Sequence, residues 1–174
     1  MSKQILDNIT LERIKELHPK LRDEATRILE ETSEVLTGRA RLRFAYTLRT
    51  IQEQNDLYAQ GRTKLFDAKG NRLGIVTNAR GGESYHNYGL AVDIVLITPE
   101  GASWDIVKDF DNDGKADWME VSEVFEKYGW NFLVDKKGKR WDFPHFQKTF
   151  GLSIAQLQKL VKDGKVDKEG YVTI

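Results

Sequence analysis

The sequence predicts a single α+β domain in which a small, mainly antiparallel sheet is flanked by helices. Two observations carry this prediction. Helical patterns come first along the chain, and short apolar strands interrupted by helices follow them. These strands and helices do not alternate regularly, as they would in the βαβ units of a doubly wound fold. With 174 residues, the chain is long enough for one domain with a core and too short for two typical domains.

Apolar residues at helical spacing predict a helical region over 10–36 at the start of the chain. Pro19 divides this region in two, because proline has no backbone N–H to donate within a helix. Gly38 is expected to end it. A further helix is predicted over 50–60, and a last one over 153–162.

Three segments have the pattern of β-strands. Apolar residues alternate with other residues over 42–46, which indicates a strand. The run 90–97 is almost continuously apolar and is interrupted by one charge, Asp93, so it predicts a buried strand. A final strand is predicted over 140–146.

Two loops separate these elements. The segment 62–83 is polar and glycine-rich, and loops of this length in compact domains are often functional. An acidic loop over 109–120 is expected between two short helices, the second over 118–128. We expect the main domain to span 1–150 and residues 151–174 to form a helical extension packed on it.

Composition excludes several classes of function. The chain has no cysteine, so it has no disulfide, no catalytic thiol and no sulfur ligand, and any metal must bind imidazole and carboxylate groups. Its 27 Lys and Arg residues balance 27 Asp and Glu residues, so no overall field attracts nucleic acid or an anionic membrane. The start of the sequence lacks the charged head and apolar run of a secretory signal, and no stretch is apolar enough to span a bilayer. We therefore expect a protein made in the cytoplasm, without membrane insertion.

Asp93 is the first candidate metal ligand. A carboxylate buried in an apolar strand needs a cation or strong hydrogen bonds. His86 lies seven positions earlier in the sequence, and a metal bound by both residues would supply the cation. The alternative is that Asp93 caps backbone amides and that His86 is incidental.

His145 is the second candidate, and it follows Asp142 by three positions in an aromatic stretch. If His145 binds a metal, Asp142 could reach the metal-bound water and act as a general base. Catalytic zinc usually has three protein ligands and one water, and two imidazoles with one carboxylate are a known set. The alternative is a packed surface histidine.

Three blocks of sequence, taken together, resemble the D-alanyl-D-alanine peptidase family, which includes VanX/VanY-type enzymes and phage L-alanyl-D-glutamate endolysins. In the first block, Arg49 leads into a predicted helix that carries a Gln-x-x-Leu-Tyr signature. The other two blocks read Ser84-x-His86-x-x-Gly89-x-Ala91-x-Asp93 and Asp142-x-x-His145. All three occur in the order found in the family and span residues 44–147.

The resemblance implies a Hedgehog/DD-peptidase-like fold and a zinc site. By position, the residues that would bind Zn²⁺ are His86, Asp93 and His145. Asp142 matches the catalytic carboxylate of the family. Arg49 matches the arginine that steadies the scissile carbonyl as it becomes an oxyanion, a role that suits a cation.

The resemblance also assigns substrate-positioning roles to Ser84 and Gln54. Ser84 matches a motif hydroxyl near the metal, and Gln54 belongs to the helix signature. The sequence departs from the family pattern at Thr47-Leu48, where a Gly-Tyr-like pair is expected before the arginine. This departure affects the substrate-binding edge and no metal ligand.

The acidic loop fits the template of an EF-hand calcium loop, with oxygen donors at positions 1, 3, 5, 9 and 12 and Gly114 at position 6. Position 7 donates its backbone carbonyl. The candidate Ca²⁺ ligands are Asp109, Asp111, Asp113, Lys115, Asp117 and Glu120. A solvated acidic loop is the alternative. Because the loop lies between the two zinc blocks, calcium could order the segment that carries His145 and so switch the enzyme on.

We therefore predict an endolysin-like zinc peptidase, of the phage type, that cuts the L-Ala–D-Glu bond of the peptidoglycan stem after release from the cell. The alternative within the family is a D-Ala-D-Ala carboxypeptidase or dipeptidase. By resemblance, aspartate rather than glutamate at 142, the Pro-His-Phe ending and the absence of a signal favour the endopeptidase. A cytoplasmic D-Ala-D-Ala dipeptidase also needs no signal, so localisation does not separate the two. A different class is an inactive, metal-stabilised binding module, and another is a calcium buffer that leaves the zinc blocks unexplained. We expect a monomer with bacterial peptidoglycan as its partner.

Overall fold

The computed structural model describes residues 6–174. The first five residues, which enter the prediction about a secretory signal, lie outside the described residues. The helices are α1 Asn8–Ile14, α2 Pro19–Val35, α3 Ile51–Ala59, α4 Asp117–Lys127 and α5 Ile154–Lys162, with a 3₁₀ turn at Tyr85–Tyr88. The strands are β1 Arg41–Tyr46, β2 Ala91–Thr98, β3 Gly101–Ser103, β4 Asn131–Val134 and β5 Arg140–Gln147.

All five strands form one antiparallel sheet, in the order β1-β2-β5-β4, with β3 paired to β2. Strand β2 is the centre of this sheet, because β1 lies along one edge while β5 and β3 share the other. The predicted α+β fold with a small antiparallel sheet is confirmed.

The core lies on one side of the sheet, where helices α2 and α4 pack together. At its centre, Phe125 of α4 stacks on Phe146 of β5 with 4.3 Å between ring centroids, and its ring also contacts Phe44 of β1. All three rings are completely buried. Removing one such ring typically costs about 3–5 kcal/mol, so these contacts fix β5 against β1 and α4.

The structure differs from the sequence prediction in four places. Strands β3 and β4 were not predicted, because both are short and neither has a clear alternation of apolar residues. The helix expected before the acidic loop does not form, and the chain there is irregular. His86 lies in the 3₁₀ turn rather than in an open loop. Tyr46, expected on the buried face of β1, is 62% exposed because the pairing with β2 shifts between Phe44 and Tyr46.

The C-terminal segment packs on the rest of the chain. Leu157 of α5 and Val172 of the final hairpin are buried in the common core. A ring nitrogen of His18, at the start of α2, lies 2.8 Å from the backbone oxygen of Val172. The boundary at residue 150 stays a prediction. Within residues 6–174, no helix is long and apolar enough to cross a membrane.

Candidate metal centre

Three predicted ligands meet at one end of the sheet. His86 lies in the 3₁₀ turn just before β2, and Asp93 on β2 pairs directly with His145 on β5. Asp93 Oδ1 lies 3.2 Å from His86 Nε2 and 3.1 Å from His145 Nδ1. Both imidazoles are buried, with 3% and 7% of their surface exposed. The antiparallel register, rather than sequence proximity, therefore brings the two histidines to one carboxylate.

Each imidazole is held from its far side by an acceptor. His86 Nδ1 lies 2.7 Å from the backbone oxygen of Thr47, and His145 Nε2 lies 2.9 Å from the side-chain oxygen of Gln147. A carbonyl oxygen can only accept, so each of these ring nitrogens carries a hydrogen. The opposite nitrogen of each ring is thereby left to face Asp93, and this arrangement is typical of metal-binding histidines.

Electrostatics in this group favour a bound cation. Burial of the Asp93 carboxylate opposes its ionisation, but hydrogen bonds from His145 and His86 outweigh burial and hold its pKa well below the ordinary value. Burial alone would lower the pKa of His145, but the hydrogen bond to Asp93 raises it above the ordinary value. Without a metal, the carboxylate and the imidazole each favour the charged form of the other. A metal would replace the imidazole proton as the partner of the carboxylate.

The donor set fits zinc. The ligand atoms of His86, Asp93 and His145 all lie within 4.8 Å of one another. Two ligand atoms about 2.0 Å from a tetrahedral zinc ion are about 3.3 Å apart. The two observed separations, 3.1 and 3.2 Å, agree with this value. Two imidazole nitrogens and one carboxylate also match a common ligand set of catalytic zinc, with a position left for water.

Local sequence explains why His86 has a fixed orientation. Ser84 begins the 3₁₀ turn, and its hydroxyl oxygen accepts from the His86 amide at 3.3 Å. Gly89 ends the turn with a φ of 67°, and a Cβ there would come within 2.7 Å of the backbone nitrogen of His18. The Arg49 amide donates to the His86 carbonyl at 3.0 Å. Ser84 therefore positions the histidine.

Arg49 lies beside the ligand group. Its guanidinium is 3.7 Å from Asp93 Oδ2, and its side chain is only 16% exposed. Gln54 on α3 accepts from this guanidinium at 2.9 Å and donates to the backbone oxygen of Ala79 at 2.8 Å. Because Gln54 is completely buried, it holds Arg49 and the neighbouring loop in place and does not itself face the cleft.

Asp142, the predicted general base, lies on β5 and lines the same cleft as His145. Burial raises the pKa of its carboxyl, and the positive charge of His145 opposes this rise. Among the described residues, no donor lies within hydrogen-bonding distance of the Asp142 carboxylate. A half-buried carboxylate with a raised pKa and no fixed partner is free to accept and return a proton.

The cleft has a volume of about 670 Å³ and extends well beyond the ligand group. Two exposed aromatic side chains, Tyr46 and Trp141, line it, each 62% exposed. The stretch 75–79 of the long polar loop lines it as well. The prediction that this loop is functional therefore agrees with its position.

Sequence reasoning missed Thr47, Gln147, Tyr46 and Trp141. Gln147 had a detectable signal, because it is two positions after His145 in a strand and so shares its face. Thr47 acts through its backbone oxygen, which leaves no trace in the sequence. The two aromatic residues carry no signal without knowledge of the cleft.

The acidic loop forms a separate cluster. Its carboxylates form two overlapping groups that could hold a metal, one with Asp109, Asp111 and Asp117 and one with Asp111, Asp113 and Glu120. The side chain of Lys115 points to Glu123, with 2.5 Å between Nζ and the carboxylate oxygen.

Together, the fold and the site define an α+β protein with a candidate His–Asp–His metal centre in an open cleft. Residues 77–148 match the model of the family described as D-alanyl-D-alanine carboxypeptidase. This part of the chain is therefore similar to that family.

One curated protein is similar to this chain in sequence, and one solved structure is similar to it in fold. A stretch of 100 residues is 48% identical to the peptidoglycan L-alanyl-D-glutamate endopeptidase CwlK of Bacillus subtilis strain 168. This match covers 57% of the chain and 55% of that relative, so the chain spans about half the length of the curated protein that it matches. The crystal structure of the Serratia marcescens L-Ala D-Glu endopeptidase ChiX matches with a TM-score of 0.51 and 19% identity, over 86% of this chain and 92% of that one. The likeness to ChiX concerns the fold alone.

Proposed function

We propose that this protein is a zinc-dependent endopeptidase that hydrolyses the L-Ala–D-Glu bond in the peptide stems of bacterial peptidoglycan. One observation carries the proposal: the three candidate ligands, Asp142 and Arg49 all lie in one cleft. The relative CwlK is named for this same bond.

His86, Asp93 and His145 would hold the metal. Bound zinc would polarise the scissile carbonyl and lower the pKa of a water ligand to about 7. Asp142 accepts the proton of the attacking water and returns it to the leaving amine, a role that its raised pKa suits. Arg49, held by Gln54, stabilises the oxyanion that develops on the carbonyl oxygen.

Several features of the substrate site follow from this assignment. The cleft is open and long enough for an extended peptide. The exposed rings of Tyr46 and Trp141 offer flat apolar surface for the stem or for the adjoining sugar. Ser84 acts indirectly, through His86. We also propose that the enzyme acts as a monomer on the wall after release from a cell, as a phage endolysin does, without binding nucleic acid or inserting into membranes.

A second candidate function is removal of the terminal D-Ala by a carboxypeptidase. The description of the matching family model favours it. An inactive binding module is the third candidate. Both use the same cleft, so the products of digestion separate the three.

The decisive experiment is digestion of purified peptidoglycan by zinc-loaded protein, with fragments identified by mass spectrometry. New amino termini at D-Glu are expected for the wild type. Asp142→Asn should reduce the rate by about 10²–10⁴-fold while zinc content stays unchanged, because only the proton transfer is lost. Asp163→Asn, an identical change at an exposed carboxylate after α5, is the matched control and should cleave normally.

Release of D-Ala would assign the protein to the carboxypeptidase branch. A chain that binds zinc and cleaves neither bond would be the binding module, and the proposal would then be wrong.

A further inference from the structure

The acidic loop contains buried oxygen atoms that no hydrogen-bond donor within residues 6–174 satisfies. Glu120, in the first turn of α4, is only 8% exposed, and its Oε2 meets no donor among the described residues. Asp117 is completely buried: one oxygen accepts from the Phe110 amide at 2.7 Å, and the other has no donor in the same part of the chain. A buried oxygen left unsatisfied costs about 1–3 kcal/mol, and more if it is charged. Within residues 6–174, neither side chain forms an ion pair with a Lys or Arg.

The side chains of Asp117 and Glu120 both belong to the cluster. Glu120 groups with Asp111 and Asp113, while Asp117 groups with Asp111 and Asp109, in each case with oxygen atoms within 4.8 Å of one another. Two oxygens bound to one calcium ion at about 2.4 Å can be at most about 4.8 Å apart. Asp111 belongs to both groups, so five carboxylates form one continuous site of the correct size.

No cation of the loop neutralises this cluster. Lys115 directs its ammonium group to Glu123, at 2.5 Å, on the outer side of α4. Glu120 is buried close to the carboxylates of Asp111 and Asp113. Without a metal, the loop is therefore under repulsion that a divalent cation would relieve.

We propose that the loop Asp109–Glu120 binds one calcium ion. Its ligands are the carboxylates of Asp109, Asp111, Asp113, Asp117 and Glu120, with the backbone oxygen of Lys115. Calcium accepts this many oxygens in flexible geometry, whereas magnesium requires a tight octahedron and retains water, so the site selects calcium.

The position of the loop suggests what the ion stabilises. Asp117 and Glu120 form the first turn of α4, and two residues later Ser122 accepts from the Arg140 guanidinium at 2.9 Å. Arg140 also donates to the backbone oxygen of Phe143 at 2.6 Å, next to Asp142 on β5. Calcium at the loop would therefore hold α4, and α4 holds the strand that carries the candidate base.

The loop is also fastened to the opposite end of the core. Asp111 Oδ2 accepts from the amide and the hydroxyl of Thr37, at 3.0 and 2.9 Å, in the connection between α2 and β1. A Cβ on Gly38 would come within 2.5 Å of the Asp111 side chain, so the two segments are in direct contact. An ion bound at Asp111 thus connects two helices through one loop.

The test uses the zinc-loaded full chain in calcium-free buffer, with terbium as a luminescent probe. The buried Trp118 lies within the loop and should sensitise terbium emission. Calcium is expected to displace terbium, to bind in a ratio of one per chain by calorimetry, and to raise the melting temperature. Magnesium at the same concentration should do neither.

Glu120→Gln keeps the shape of the side chain and removes one ligand charge, so calcium affinity should fall by tenfold or more. Glu123→Gln, on the exposed side of the same helix, is the matched control and should bind calcium as the wild type does. Asp113→Asn is a second loop variant at an exposed position, in case the buried substitution prevents folding. Equal calcium affinity in the wild type and the loop variants, or no displacement of terbium, would overturn the proposal.

The effect on catalysis rests on the proposed peptidase function and is measured separately. Digestion of peptidoglycan should be faster with calcium than without it in the wild type, and unaffected by calcium in Glu120→Gln. Calcium binding without any hydrolysis would overturn the peptidase and leave the calcium site standing. Bound calcium with an unchanged rate of hydrolysis would overturn only the connection through α4.

Discussion

The two candidate metal sites differ in how far hydrogen bonds within the protein satisfy their ligand groups before a metal binds. At the His–Asp–His centre, Thr47 and Gln147 hold the two rings from behind, and strand pairing sets the distance between ligands. In the acidic loop, oxygens of Asp117 and Glu120 are buried without a donor in the part of the chain that the structure describes. The arrangement of the first candidate site is therefore formed before a metal binds, whereas the second would be completed by the calcium ion that we propose.

Removal of zinc tests this difference with the largest expected effect. Lewis-acid assistance worth about 4 kcal/mol corresponds to a rate about 10³-fold higher. A zinc-selective chelator should therefore reduce peptidoglycan hydrolysis by at least about 10³-fold, and added zinc should restore it.

The fold should survive that treatment, because the strand register and the hydrogen bonds at the centre do not depend on the metal. Circular dichroism of the aromatic side chains should change little when zinc is removed. A loss of that signal comparable to thermal unfolding would show that the centre is not formed in advance.

Arg49→Lys tests whether the side chain of Arg49 is held in position as firmly as the candidate metal ligands are. Lysine keeps the charge but loses the planar group that contacts both Gln54 and Asp93. The turnover rate is expected to fall by about 10²–10³-fold, the usual effect of losing an oxyanion donor. Zinc content, measured by atomic absorption, should stay at the level of the wild type. A variant that loses zinc instead would make Arg49 part of the metal centre.

Loss of an acceptor that holds a histidine ring from its far side should have a smaller effect, on zinc affinity. Gln147→Leu removes the acceptor that holds His145 Nε2. Loss of such a partner typically reduces metal affinity by about 10–100-fold. Competition with a zinc-binding dye measures this change, and Gln156→Leu in the exposed first turn of α5 is the matched control. An unchanged zinc affinity would mean that strand pairing alone fixes the ring.

Sequence analysis located most of the helices, and the three candidate ligands that the structure brings together, because their signals are local. Capping by Thr50 and Ser153, the charge of Asp93 within an apolar run and the spacing of Asp142 and His145 can all be read within a few positions. The α+β class followed from the order of these elements.

What the sequence could not provide depends on contacts between distant segments. Gln54 matches a substrate-positioning residue in the family pattern, but the packing of α3 buries it and directs it to Arg49. Strand β4 forms only because β5 offers an edge, since its own sequence has no period of two. The shift after Phe44 turns Tyr46 outward, and only the pairing of the two strands determines that shift.

The smallest effect concerns pH and distinguishes the loop from the zinc centre without measuring activity. The pKa of Glu120 is raised from 4.5 to about 7 in the folded chain by burial and by Asp113, Asp111 and Asp117. The folded state therefore binds this proton more tightly than the unfolded state does. Calcium-free protein should lose about 1–3 kcal/mol of stability from this group as the pH rises from about 4.5 to 7. Urea unfolding of the wild type and Glu120→Gln across this range isolates the contribution, because the amide does not titrate. Calcium binds the ionised carboxylate, so it should make the free energy of unfolding depend on pH to the same extent in the two proteins. If the stability of the two proteins depends on pH equally without calcium, the protein itself already stabilises the Glu120 carboxylate. The acidic loop and the zinc centre would then not differ as the structure indicates.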